Sequence, residues 1–284
     1  MLVSTTNPSS PSLAKLRQPI KQWFETELGQ QLLATEQQLL DQVTPRLFGY
    51  HLLQISVLDL PDLTRGSPAG HRFMLAAEMD GELAPNTLVG DMESLPLANE
   101  CIDAVVLHHA LDFAQSPHDA LREAIRVLRP GGRLIIIGFN PHSFWGLHRL
   151  WKRKSKQVPW VGHFMARRRM HDWLKLLEMK SERADSGFFR PPWHSSRWMD
   201  RMQFCERWGQ RSHSLNGAFW MLTACKETGA AATVGQSWKR RFVFPLPVAQ
   251  SSRVGRGGVA DKAGTARIYP FPRLSSSGTP SKDR

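Results

Sequence analysis

The chain has 284 residues, 41% of them hydrophobic, and a formal net charge of +12. That apolar share supports a folded core and excludes disorder throughout, while the lack of any run of about 18 apolar residues excludes a spanning helix. From Gln236 onward ten Lys or Arg stand against two Asp, so most of the excess charge belongs to this tail and the body is only mildly basic. Cys101, Cys205 and Cys225 are odd in number and widely spaced. They point to a reduced cytosolic protein with neither a disulfide framework nor a cysteine metal site. The first residues, MLVSTTNPSSPSLAKLRQPIKQW, lack the apolar centre and small-residue cleavage site of a secretory leader.

Residues 1–18, rich in Ser, Pro and Thr, are expected to be flexible. A helix is predicted from about Pro19 to Val43, where Leu32, Leu33, Leu39, Leu40 and Val43 recur on one face, and Pro45 closes it. Strand and helix then alternate. His51–Ser56 and His71–Ala76 read as short buried strands, followed by apolar runs in TLVGD (87–91), IDAVVLHHAL (102–111) and GRLIIIGF (132–139). Continuous apolarity of this length suits parallel strands covered on both faces. SPHDALREAIRVLRPGG carries helix signals throughout: Ser116 as cap, Pro117 at the first position, Asp119 in the first turn, and Leu121, Ala124 and Leu128 as the buried stripe. Pro130-Gly131-Gly132 is expected to stop it. RRRMHDWLKLLEM (167–179) is a further helix, and SERADSGFF and GAFWMLTACKE are two late strands. The fold class is therefore α/β, with a doubly wound, mostly parallel sheet, an N-terminal helix and a disordered basic C-terminal tail. The domain covers residues 19–228 and the tail 229–284.

One stretch, LVGDMESLPLANECIDAVVLHHALDFAQSPHDALREAIRVLRPGGRLIIIGFNP, carries the chemistry. An acid follows one strand (Asp91), Leu95-Pro96-Leu97 comes after it, Asp103 introduces the next strand, and VLRPGGRLII turns a helix into a strand. In this order and spacing the four features resemble class I S-adenosylmethionine-dependent methyltransferases of the type 11 family, strongly over about 86–141 and weakly before it. RLFGYHLLQIS with GFNPHSFWGLHRL also resembles a little-characterised bacterial subgroup of that family.

The resemblance implies an S-adenosylmethionine cofactor beyond the carboxyl ends of the strands, near the point where strand order reverses. Asp91 would accept from the adenine amine, the Met92 backbone N–H would reach a ring nitrogen, and Met92 and Leu95 would pack on the adenine face. The competing reading is that Asp91 only organises the next turn. Glu78 stands where an acid holds the ribose hydroxyls, with Asp80 as an equally near competitor and an ordinary surface acid as the alternative. Ser56 would begin the turn after the first strand. His108 would wall the methionine end; as a general base it would need a substrate proton within hydrogen-bond reach, and the competing reading is a partly buried, structurally satisfied histidine. No catalytic base is assigned. The scattered histidines do not read as a metal signature, and Asn140-Pro141 follows the wrong strand for the motif of amino-directed DNA methyltransferases. The first turn departs from the family: no glycine appears between Ser56 and Gly66, and only residues 57–70 separate the first two strands.

The function implied is methyl transfer to an unidentified acceptor; the alternative is a catalytically silent, methyltransferase-like scaffold. Lys152, Arg153, Lys154 and Arg167–Arg169 could rim a substrate mouth or form a solvated lid. The tail could make weak contacts with RNA or other polyanions.

Overall fold

The expected N-terminal helix is two helices. In the computed structural model, which describes residues 13–58, 62–77, 86–152, 157–192 and 216–227, α1 spans Leu13–Phe24 and α2 spans Glu27–Val43. Thr26 makes the break: its hydroxyl donates to the Trp23 carbonyl at 2.6 Å and accepts from Gly29 N–H at 3.2 Å, capping α2. Gly29 permits the corner, because a Cβ there would lie 2.4 Å from the Trp23 carbonyl oxygen. The expected start at Pro19 was late as well. Pro19 falls inside α1, which begins at Leu13.

The strands are β1 (His51–Ser56), β2 (His71–Ala76), β3 (Thr87–Val89), β4 (Ile102–His108), β5 (Leu128–Phe139), β6 (Met179–Gly187) and β7 (Phe219–Lys226). They form one sheet in the order β3-β2-β1-β4-β5-β7-β6, with β7 antiparallel to both its neighbours and the other pairs parallel. This is the doubly wound α/β fold expected from the sequence. The order reverses between β1 and β4, which places the ligand crevice beyond Ser56 and His108.

Each face of the sheet has its own core. Leu52, Ala104, Val106, Ile135, Ile137 and Met221 pack beneath α1 and α2. Leu53, Ile55, Val105, Leu107, Leu134 and Ile136 pack beneath α4 (Pro117–Val127) and α6 (Arg167–Leu176). Two further helices, α3 (Ala110–Phe113) and α5 (Phe144–Trp151), follow the carboxyl ends of β4 and β5. α4 starts at Pro117 as expected but ends at Val127, and Leu128 already belongs to β5. Ser116 binds the side chain of Asp119 and makes no side-chain bond to the helix backbone.

The described part of the β1–β2 connection contains no helix; polar clips hold it instead. Buried Gln54 accepts from Leu63 N–H at 2.9 Å, and Gln37 of α2 donates to the Leu63 carbonyl at 3.2 Å. Asp62 accepts from the N–H and hydroxyl of Thr64, and Ser67 donates to the Leu47 carbonyl. The backbone groups that a crossover helix would satisfy internally are thus met by side chains.

Asp103 ties the amino ends of β1 and β4 together. Its Oδ2 accepts from Tyr50 N–H at 2.7 Å and His51 N–H at 2.9 Å, and its Oδ1 pairs with Arg129 at 2.9 Å. Partial burial works against its charge, but these N–H donors and Arg129 outweigh it and depress the pKa. A depressed folded pKa stabilises above the unfolded carboxylate range and loses that contribution as pH falls through the folded value. Asp103→Ala is therefore expected to cost about 2 kcal/mol at neutral pH, and the gap to the native protein should narrow in urea unfolding at acid pH.

Candidate functional site

Beyond the carboxyl end of β3 the chain makes a tight turn. Asp91 Oδ1 accepts from Glu93 N–H at 3.0 Å, the Asp91 carbonyl accepts from Ser94 N–H, and Gly90 N–H reaches back to the Ala76 carbonyl at the end of β2. Asp91 organises this turn, as the competing reading of it has it, and is exposed at the strand end. Met92 and Leu95 are buried in the core under α4. The loop after them is clamped: Leu95 N–H donates to Glu123 at 3.0 Å, and Arg126 holds the Leu95 and Leu97 carbonyls at 3.0 Å. Met92 and Leu95 thus anchor the turn that presents Asp91. Glu78 and Asp80 lie outside the described residues.

At the reversal between β1 and β4 the structure assembles a buried polar cluster. His108 ends β4, and His109 follows it with a left-handed backbone, φ 50°. This conformation, unusual for a non-glycine residue, turns both imidazoles toward α2. Glu36 of α2 meets them with both oxygens: Oε2 lies 2.9 Å from His108 Nε2 and Oε1 lies 2.8 Å from His109 Nε2. The outer ring nitrogens are also engaged, His108 Nδ1 with Ser56 Oγ at 2.9 Å and His109 Nδ1 with Asp112 Oδ2 at 2.8 Å. Ser56 Oγ accepts from Leu58 N–H as well, and Asp112 Oδ2 from Phe139 N–H. Both histidines and Glu36 are 0% exposed. Phe139 stacks on His109 at 4.0 Å, and Phe24 lies 6.1 Å from both rings.

Burial at this depth opposes every charge in the cluster. Burial keeps His108 below its ordinary pKa despite Glu36, which assigns Nε2–H as donor to Glu36 and the Ser56 hydroxyl as donor to Nδ1. For His109 burial is outweighed by the Glu36 charge and by hydrogen bonds to Asp112 and Glu36, lifting its pKa to about 9. Burial also raises Glu36, yet the His109 charge and hydrogen bonds from both histidines bring it down to about 2. Asp112 is pushed up by burial. The cluster rests as a carboxylate–imidazolium pair with a neutral second imidazole.

Ser56 and His108 stand at the strand ends expected from the sequence, which does not reveal what they bind. The His108 ring is enclosed, with both nitrogens engaged, and is the structurally satisfied histidine of the two alternatives. Glu36, 72 residues away, carried a signal: it is an acid on the buried stripe Leu28, Leu32, Glu36, Leu40, Val43. An acid in such a stripe needs a buried partner.

Among the described residues, two cavities lie beside the sheet. An open apolar groove of about 600 Å³, lined by Phe144, Leu147, His148, Leu150, Trp151, Pro191 and Pro192, lies beyond the carboxyl end of β5. Another, of about 470 Å³, includes His51, His71, Cys101 and Arg129 at the amino ends of the strands. The second is the wrong end of the sheet for a cofactor in this fold.

Residues 71–136 match the methyltransferase domain family of type 11. Over this stretch the chain is similar to methyltransferase domains. Its fold is shared with an S-adenosylmethionine-dependent methyltransferase from Thermotoga maritima, with a TM-score of 0.52 and 17% identity over 75% of this chain and 97% of that one. Among curated proteins it is 35% identical over 149 residues to the uncharacterized protein YafS of Escherichia coli K12, covering 52% of this chain and 60% of that protein. A malonyl-[acyl-carrier protein] O-methyltransferase of Methylococcus capsulatus is 33% identical over 36% of this chain and 37% of its own length. The ubiquinone/menaquinone C-methyltransferase UbiE of Dinoroseobacter shibae is 37% identical over 32% of this chain and 35% of its own. The chain thus spans less than two thirds of the length of these curated relatives. No helix among the described residues is long and apolar enough to cross a membrane.

Proposed function

We propose that the domain transfers the sulfonium methyl group of S-adenosylmethionine to an acceptor that approaches along the groove at α5. The observation that carries this reading is the exposed Asp91 carboxylate on a clamped turn at the carboxyl end of β3, on the same edge of the sheet as the β1–β4 reversal and two strands from β1. A carboxylate there can accept from the adenine amine, and the Met92 backbone can read a ring nitrogen. When bound, the cofactor supplies an already activated methyl group, so the chain's task is to hold two reactants in line and exclude water. Glu36 ties α2 to the end of β4 at the strand-order reversal, and Trp145 of α5, the helix that lines the groove, stacks on Phe139 at the end of β5. The groove lining is apolar, which favours an acceptor with an apolar body. The protein is assigned to a reduced cytosolic compartment, with the tail after Gln236 making weak polyanion contacts.

The test is label transfer. Full-length protein is incubated with methyl-labelled S-adenosylmethionine and a small-molecule extract from a strain lacking it. A labelled product that is lost with Asp91→Ala supports methyl transfer. No product from extract or from protein fractions returns the scaffold reading.

A further inference from the structure

We propose that Glu36, His108 and His109 form a divalent transition-metal site, best matched to zinc, that fastens α2 to the carboxyl end of β4. Two imidazole Nε2 atoms and one carboxylate converge from different elements, with one donor atom of each residue within 4.8 Å of the others. A glutamate with two histidines is a donor set that zinc takes, and imidazole donors disfavour magnesium and calcium.

The surroundings match a metal site as well as the donors do. Bound imidazoles give their other ring N–H to an oxygen, which fixes the ring. Here His109 Nδ1 faces the Asp112 carboxylate at 2.8 Å and His108 Nδ1 faces the Ser56 hydroxyl at 2.9 Å. The hydroxyl serves either way, as donor to a bare nitrogen or as acceptor when the ion takes Nε2. A dication would balance the buried carboxylates of Glu36 and Asp112, leaving a neutral cluster inside an aromatic shell of Phe24 and Phe139. Hydrogen-bond separations of 2.8 and 2.9 Å between Glu36 and the rings would widen by about half an ångström around an ion with zinc–nitrogen distances of about 2.0–2.1 Å. Because the donors come from α2 and from the end of β4, the ion would hold helix to strand at this end of the sheet. The inference does not depend on cofactor binding or on methyl transfer.

The experiment uses untagged full-length protein, stripped with a chelator and titrated with Zn²⁺ or Co²⁺. About one equivalent is expected to bind, to raise the melting temperature, and with Co²⁺ to give visible ligand-field bands lacking thiolate charge transfer. Glu36→Gln, close in volume, should abolish this uptake. Asp112→Asn should weaken it about 10–100-fold. Removing the exposed pair His51 and His71, 3.2 Å apart, should leave it unchanged. The proposal is overturned if the stripped native protein takes up neither ion at micromolar concentration. It is also overturned if Glu36→Gln binds as the native protein does, or if the Co²⁺ spectrum reports thiolate ligation. The spectrum of the native protein decides the matter even where a variant fails to fold.

Discussion

Replacing Glu36 with alanine is expected to cost about 3–5 kcal/mol of unfolding free energy, the scale for breaking a buried ion pair by removing one partner. The substitution strands two buried ring nitrogens at once, because Glu36 serves His108 and His109 with separate oxygens. It also leaves the Asp112 carboxylate as the sole acidic partner of His109 and opens a void beneath α2. At a few degrees per kcal/mol for a domain of this size, the melting temperature should fall on the order of 10 °C. Glu36→Gln keeps the volume and one acceptor and should cost less than half as much. Urea unfolding of chelator-treated protein measures both. A loss below about 1 kcal/mol for Glu36→Ala, the range of an exposed pair, would show that the cluster does not hold α2 in place.

The second large effect is expected at Trp145, for which alanine should cost about 3–5 kcal/mol. Its indole is fully buried at the start of α5, between Trp23 at 5.8 Å, Phe139 at 6.0 Å, Trp160 at 5.7 Å and Phe188 at 5.8 Å. Its Nε1–H donates to the Arg190 carbonyl at 2.9 Å. The ring therefore joins α1, the end of β5 and the segment after β6 in one contact set, under the proposed acceptor groove. Trp145→Phe retains most of the packing but orphans the Arg190 carbonyl, and should fall between the two, near 1–2 kcal/mol. Equal losses for the two variants would assign the stabilisation to the hydrogen bond rather than to the aromatic packing.

Much of the fold was legible because burial on two faces writes itself plainly into short apolar runs. β1 and β2 were read with their observed boundaries, His51–Ser56 and His71–Ala76, and the start of α4 at Pro117 followed from proline at a first helical position. The break between α1 and α2 was not read, since periodicity carries through Glu25 and Thr26 while the cap acts only in three dimensions. The strand-end positions of Ser56, Asp91 and His108 came from the spacing that the resemblance implies. The partners of the two histidines did not, because the contact with Glu36 is made by tertiary packing across 72 residues. Asp103, noted as the residue introducing β4, has a task that the sequence does not reveal: it receives two backbone N–H groups from the start of β1.

The shortened β1–β2 connection has a physical counterpart in the same region. Gln54 and Gln37 hold its backbone, and Glu36, one residue from Gln37, holds the end of β4. α2 thereby stabilises both the rebuilt turn and the strand end beside it. The central claim, proposed above, is that this end of the sheet takes S-adenosylmethionine. Calorimetric titration of full-length protein with S-adenosylmethionine, and with S-adenosylhomocysteine as a non-reacting control, tests it most directly. The account predicts one site with micromolar affinity, roughly 8 kcal/mol, weakened about tenfold or more by Asp91→Ala through loss of a charged hydrogen bond. No heat of binding from either ligand at millimolar concentration would contradict it.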